Sequence, residues 1–338
     1  MGDRCNLVII ENNQATVYYD HWAANTLGIE LLWGTKIARD FIQEREPKPD
    51  SCLIGWAQGG CVIDFDTQHM LWYGGLDIRY EPELNLIIRE LMKPQWKGWA
   101  VEWAKDGVLD IAKKANVPID RAPSEDNQLI RKILSQPYTR EEFFYADNVV
   151  SFTDQEELSW AVLCGDIRSL ANIDLTPEHI ANLVRGFSKI DFEKGKLLDP
   201  GWGSFEWGAH FNFDTSSFEY WNPNPSEGLQ LHVQKQLPNW SVVDHGPNYL
   251  WHEALVPIKD WPKVTRKKKL DYIESCRQVI SRNNINPLVN VMNTMTNEGA
   301  KNIQVNHEAW EHRKGNKELL AVKNSILDSL IQQIKRQG

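Results

Sequence analysis

This 338-residue chain has no C-x-x-C pair, and its five cysteines (Cys5, Cys52, Cys61, Cys164 and Cys276) are an odd number. In a chain of this length, these features argue against a disulfide framework or a zinc ribbon, and reduced thiols in a cytoplasmic protein are expected. No uncharged apolar run approaches the length that spans a bilayer, so no membrane partner is expected. The opening MGDRCNLVII has no apolar signal-peptide core, and Asn6 stands where a myristoylation signal has Ser or Thr.

Catalytic signatures are missing as well. The chain has no P-loop, no G-x-S-x-G and no G-x-G-x-x-G. The stretch NHEAWEHR (306–313) resembles a metalloprotease helix, but His307 and His312 are five apart. Five residues turn a helix by about 500°, which leaves the imidazoles about 140° apart and unable to share one metal. Asp64 and Asp66 share one strand face and could hold a hard cation. Asn212 and Asp214 repeat the pattern with one charge fewer, which favours a solvated strand face beside a turn. Neither a metal nor a cofactor is expected. Cys5 lies on an apolar strand face with Leu7 and Ile9, which reads as an inert thiol.

Tryptophan is abundant: 15 copies, more than the 11 phenylalanines or 9 tyrosines. Core packing is the plainer explanation, and an aromatic binding face the sharper one. The net charge of −9 is unevenly spread. Residues 259–338 carry 15 Lys+Arg against 8 Asp+Glu, and the first 258 carry 22 against 38. A basic tail on an acidic body can bind nucleic acid or fold back on that body. The run RKKK (266–269) reads as a solvated helix face.

GCVIDFDTQHMLWYGG (60–75) has a counterpart in GAHFNFDTSSFEYWNP (208–223). Cys61, Ile63 and Phe65 alternate with Val62, Asp64 and Asp66, and Ala209, Phe211 and Phe213 with His210, Asn212 and Asp214. Period-two alternation predicts strands, with the Phe face buried and the Asp64 face outward. Asp66-Thr67 and Asp214-Thr215 open the turns. Further hairpins are predicted to turn at Asn12-Asn13 and near Asp154-Gln155. Helices are predicted from about Thr35 to Glu44, before Pro94 and before Pro238, and from an N-cap at Thr176. A strand follows from Trp99 and another from Trp240. Leu319, Val322, Ile326, Leu330 and Ile334 form a helical stripe that packs into a core.

The fold class is therefore α+β: two tandem duplicated units of antiparallel β-hairpins backed by helices, plus a helical C-terminal appendage. The boundaries are 1–125 for the first unit, 126–147 for a linker or helix, 148–258 for the second, diverged unit, and 259–338 for the basic helical region.

The segment YYDHWAANTLGIELLWG (18–34) places Asp20, His21 and Trp22 at a strand end and runs into Trp33. With Trp103, these are the candidate ligand- or partner-binding residues. His21 could also act as a general base, although a histidine satisfied at a strand end is the simpler reading. The opening MGDRCNLVI, the YYDHWAANTLGIELLWGTKIARDFI segment, and GGCVIDFDTQHMLWYGG followed by WKGWAVEWAKDG together resemble a group of uncharacterised bacterial proteins. Those also begin Met-Gly-Asp/Thr-Arg and carry Tyr-x-His-Trp. The resemblance spans about the first 120 residues, implies a bacterial origin, and carries no catalytic residue across.

Three functions are expected to compete. The first is a non-enzymatic protein-binding factor of bacterial immunity or defence, whose acidic, Trp-rich surface meets a basic toxin or nuclease. The second is a hydrolase with a pocket around Asp20 and His21. The third is nucleic-acid binding through the basic C-terminal region.

Overall fold

Asn12 and Asn13 both adopt left-handed backbone (φ 55 and 60), and this two-residue turn folds β1 (Cys5–Glu11) onto β2 (Gln14–Asp20). Positive φ at both turn positions matches the right-handed twist of paired strands, and Asn tolerates it well. The computed structural model of the chain describes residues 3–75, 78, 81–120, 148–163, 205–225, 228–258, 261–282, 287–297, 305, 310 and 317–336.

A second hairpin, β3 (Gly59–Asp64) with β4 (His69–Tyr73), follows two short helices, α1 (Leu27–Leu31) and α2 (Thr35–Gln43). Then come α3 (Pro82–Met92), which begins on Pro82, β5 (Ala100–Trp103) and α4 (Val108–Ala115). The hairpins are antiparallel, but they join one another in parallel, β1 beside β3 and β4 beside β5. The sheet is therefore mixed, with order β2-β1-β3-β4-β5. The hairpin-rich sequence predicts the hairpins themselves and leaves this parallel docking unspecified.

The second unit repeats the arrangement. β6 (Asn148–Asp154) and β7 (Glu157–Leu163) turn at Gln155-Glu156, one residue later than expected. β8 (Trp207–Asn212) and β9 (Ser217–Trp221) form the next hairpin, followed by α5 (Leu229–Gln236), β10 (Ser241–Asp244) and α6 (Leu250–Leu255). The order β10-β9-β8-β6-β7 is the first sheet's order read from the other edge. Corresponding contacts recur. Phe65 N–H donates to Ile10 O and Phe213 N–H to Thr153 O, both at 2.9 Å. Asp66 accepts from the amides of Asn12 (2.9 Å) and Asn13 (2.7 Å), and Asp214 from those of Gln155 (2.8 Å) and Glu156 (2.9 Å). The helix expected at Thr176 lies outside the described residues.

Asp64 is the main correction. It does not face outward but is 4% exposed, because α4 covers the second face of the sheet and brings Lys114 Nζ to 2.7 Å from its carboxylate. All six residues of β3 are buried. Phe65 and Phe213, at the hairpin ends, are only half-buried.

After the second unit, α7 (Arg266–Arg282), α8 (Pro287–Asn297) and α9 (Lys317–Arg336) complete the described helices. Ile273, Cys276, Ile280, Leu327, Leu330 and Ile334 of α7 and α9 join the same core as the first unit's sheet. Val322 leaves the predicted stripe at 49% exposed, and Lys323 takes an inward position, paired with Glu30 of α1 at 2.9 Å. In the RKKK run, Lys268 pairs with buried Glu83 and Lys269 with Glu90 at 2.6 Å, while exposed Lys267 pairs with Asp271 on its own helix. The basic region thus folds back onto acidic side chains of the first unit.

Candidate functional site

Asp20 ends β2. One carboxylate oxygen accepts the Trp22 amide at 2.7 Å, and the other takes the Arg45 guanidinium, with Nε at 2.6 Å. His21 is buried, with Nδ1 3.0 Å from the Tyr19 hydroxyl and its ring edge-on to Trp22 at 4.8 Å. The structure therefore joins Asp20, His21 and Trp22 at one strand end. It places Trp33 elsewhere, buried beneath the C-terminal helix with the Lys323 ammonium 5.1 Å from its ring. Trp103 lies at the end of β5, edge-on to Trp72 at 4.8 Å, where the first unit meets Gly246 of the second.

Most of the tryptophan serves packing. Of the described tryptophans only Trp56 and Trp310 are exposed, and the Arg4 guanidinium sits 3.9 Å over the Trp56 ring. The thiols of Cys5, Cys61 and Cys276 are buried and free, and burial pushes the last two up to about 12. That keeps them protonated and unreactive. Cys164 lies outside the described residues.

The most concentrated polar chemistry sits in the second unit, on the sheet face under α6. Ser151 Oγ lies 2.8 Å from His210 Nδ1 and 2.7 Å from His252 Nε2. Trp221 Nε1–H donates to His252 Nδ1 at 3.1 Å, and His210 Nε2 lies 3.4 Å from Thr153 Oγ1. An indole can only donate, so neutral His252 carries its hydrogen on Nε2 and donates to Ser151 Oγ. The Ser151 hydroxyl then turns to His210 Nδ1. Burial lowers the pKa of both imidazoles, that of His252 to about 3 with help from His210 and His245. Both rings are neutral at pH 7.

This network has a counterpart without polarity. In the strand registers Val8 pairs with Val62 where Ser151 pairs with His210. Ile111 follows Ala104 by seven residues as His252 follows His245, and Ala104 and His245 make the same bond to the neighbouring strand. Val8, Val62 and Ile111 thus become Ser151, His210 and His252. The sequence reading missed this site. Aligning the two copies strand by strand and looking for polar-for-apolar exchanges would have found it.

A serine between two imidazoles has the groups of a nucleophile and a base. Ser151 and His252 are both fully buried, however, so no substrate reaches them in this conformation. Among the described residues no group of three His, Cys, Asp or Glu could hold a metal ion, and no helix is long and apolar enough to cross a membrane. Comparison with protein-family models, curated proteins and solved structures gave no match.

Proposed function

We propose that this protein is a non-enzymatic factor that binds another protein, a basic one, through the acidic β6–β7 turn of its second unit. The observation that carries this reading is a difference between the two copies of one turn. The first copy uses Asn12 and Asn13 at positive φ, which suits Asn. The second copy holds Gln155 (φ 52) and Glu156 (φ 65) in the same backbone. Longer L side chains in that region cost about 1 kcal/mol or more each. Local strain of this kind is retained where it serves a function.

The second turn gathers charge at that cost. Asp154, Glu156, Glu157 and Asp214 are all exposed there, with Leu158 partly exposed beside them. In the first copy the equivalent positions are Glu11, Asn13, Gln14 and Asp66, and Glu11 is paired with Arg39 at 2.7 Å. Four carboxylates around one turn repel one another, and a basic partner relieves that repulsion while steering its own approach.

The finer reading is a bacterial immunity or defence-associated protein of the cytoplasm whose partner is a basic toxin or nuclease. It rests on the acidic body and on the resemblance of the first 120 or so residues. The other two readings draw less support: Asp20 and His21 are engaged by Arg45 and Tyr19, and Lys268, Lys269 and Lys323 by carboxylates. The test is capture of a partner on immobilised protein at low and raised salt, comparing wild type with Glu156→Gln/Glu157→Gln. A basic protein retained by wild type, released by salt and lost with the variant is expected. Equal capture by both proteins would sink the proposal.

A further inference from the structure

His252 anchors α6 to the second sheet through two bonds that leave no place for a second ring proton. Its Nε2–H is committed to Ser151 Oγ at 2.7 Å, and its Nδ1 accepts the Trp221 indole N–H at 3.1 Å. Protonation would put an N–H at Nδ1 facing another N–H. The ring has no room to turn away. Trp251 stacks on it at 4.8 Å and 11°, and Trp261 lies 5.5 Å away. Gly208 packs so closely that a Cβ there would come within 2.6 Å of Nδ1 and 2.3 Å of the indole nitrogen.

The surrounding charges offer no rescue. Glu219 of β9 stands across from His210, and its carboxylate is held by His245 at 2.7 Å. His245 lies 4.5 Å from the Trp251 ring of α6 at a tilt of 32°, and it disfavours a charge on His252. Ser151 and Thr153 of β6 are neutral, and so is Tyr249 before α6, its hydroxyl committed to Pro262 O. Among the described residues no carboxylate bonds His252.

We propose that the Trp221–His252 contact is an acid-sensitive latch, in which protonation of His252 frees α6 from the second sheet. Burial and the neighbouring imidazoles hold the closed-state pKa near 3, whereas a solvated histidine titrates near 6.5. The stabilising effect of the neutral ring is complete above about pH 6.5 and is lost as pH falls toward the closed-state value. In that window the open state binds one more proton, so the opening constant rises about tenfold per pH unit. Ile111 occupies the same place in the first unit, so α4 provides an internal control.

Hydrogen–deuterium exchange of the full chain between pH 6.5 and 4.5, corrected for intrinsic exchange rates, reads this directly. Opening at α6 and the β8 amides beneath it is expected to rise about tenfold per pH unit, with no matching rise at α4. His252→Ile, which installs the first copy's residue, is expected to flatten the α6 response. Equal pH responses at α6 and α4 in the wild type, or an α6 response unchanged in His252→Ile, would overturn the latch. The wild-type comparison decides the matter even if the variant does not fold.

Discussion

Phe213 meets Trp240 edge-on, with ring centres 5.4 Å apart and planes at 89°, and Phe65 meets Trp99 in the same way at 5.3 Å and 84°. In both copies this pair ties the second hairpin's end to the start of the last strand. Each Phe is half-buried, so truncation forfeits only part of a core side chain plus the ring contact. Phe65→Ala and Phe213→Ala are each expected to cost about 2 kcal/mol, and the losses to add in the double variant. Chemical denaturation of the three variants checks it, and a strong non-additivity would show that the units do not carry these contacts independently.

Asp64 is expected to matter more than its counterpart Asn212. Burial alone would raise the Asp64 pKa, but hydrogen bonds from Lys114 and Thr67 outweigh it and hold the carboxyl below its usual value. A group with a lowered folded-state pKa adds stability that is complete above the unfolded value, near 4, and disappears as pH falls through the folded one. Asp64→Asn is expected to cost about 1–2 kcal/mol at pH 7 and much less near pH 3. Denaturation at the two pH values measures the difference. A cost independent of pH would mean that the ionised carboxylate is not what holds α4.

Lys323 of α9 and Glu30 of α1 form a buried pair at 2.9 Å, with side chains 5% and 4% exposed. Removing Lys323 takes a buried cation away from the buried Glu30 carboxylate. Lys323→Ala is expected to cost about 3–5 kcal/mol, whereas Glu30→Met/Lys323→Met is expected to recover most of that loss. Thermal melts of the two variants are the check. A mild effect of Lys323→Ala would mean that α9 is not anchored at this point.

Local rules made much of this fold legible. Asn12-Asn13, the Asp66-Thr67 and Asp214-Thr215 turns, and the prolines after α3 and α5 act through their immediate neighbours, and the duplicated hairpins follow from them. Asp64 escaped because alternation separates two strand faces without saying whether a helix covers the second; its partner Lys114 is 50 residues further on. Lys323 escaped for a related reason. A helical apolar stripe marks an inward face, but a lysine joins it only when a buried carboxylate waits there. The Ser151, His210 and His252 network comes from three elements spread over 101 residues, and only the strand registers bring them together. Asp20 and His21 are neighbours in sequence and were easy to pick out, yet each is taken up by a side chain from its own surroundings.

The central claim is that the second unit accepts a strained turn in order to present charge. Gln155→Asn/Glu156→Asn/Glu157→Gln gives that turn the first copy's residues while leaving Asp214 to bond the same two amides. Thermal stability and partner capture, measured on this one variant, test the claim together. The account predicts a gain of about 1–2 kcal/mol from relieved left-handed backbone, with loss of the salt-sensitive partner. A variant no more stable than wild type, or one that still captures the partner, would contradict it.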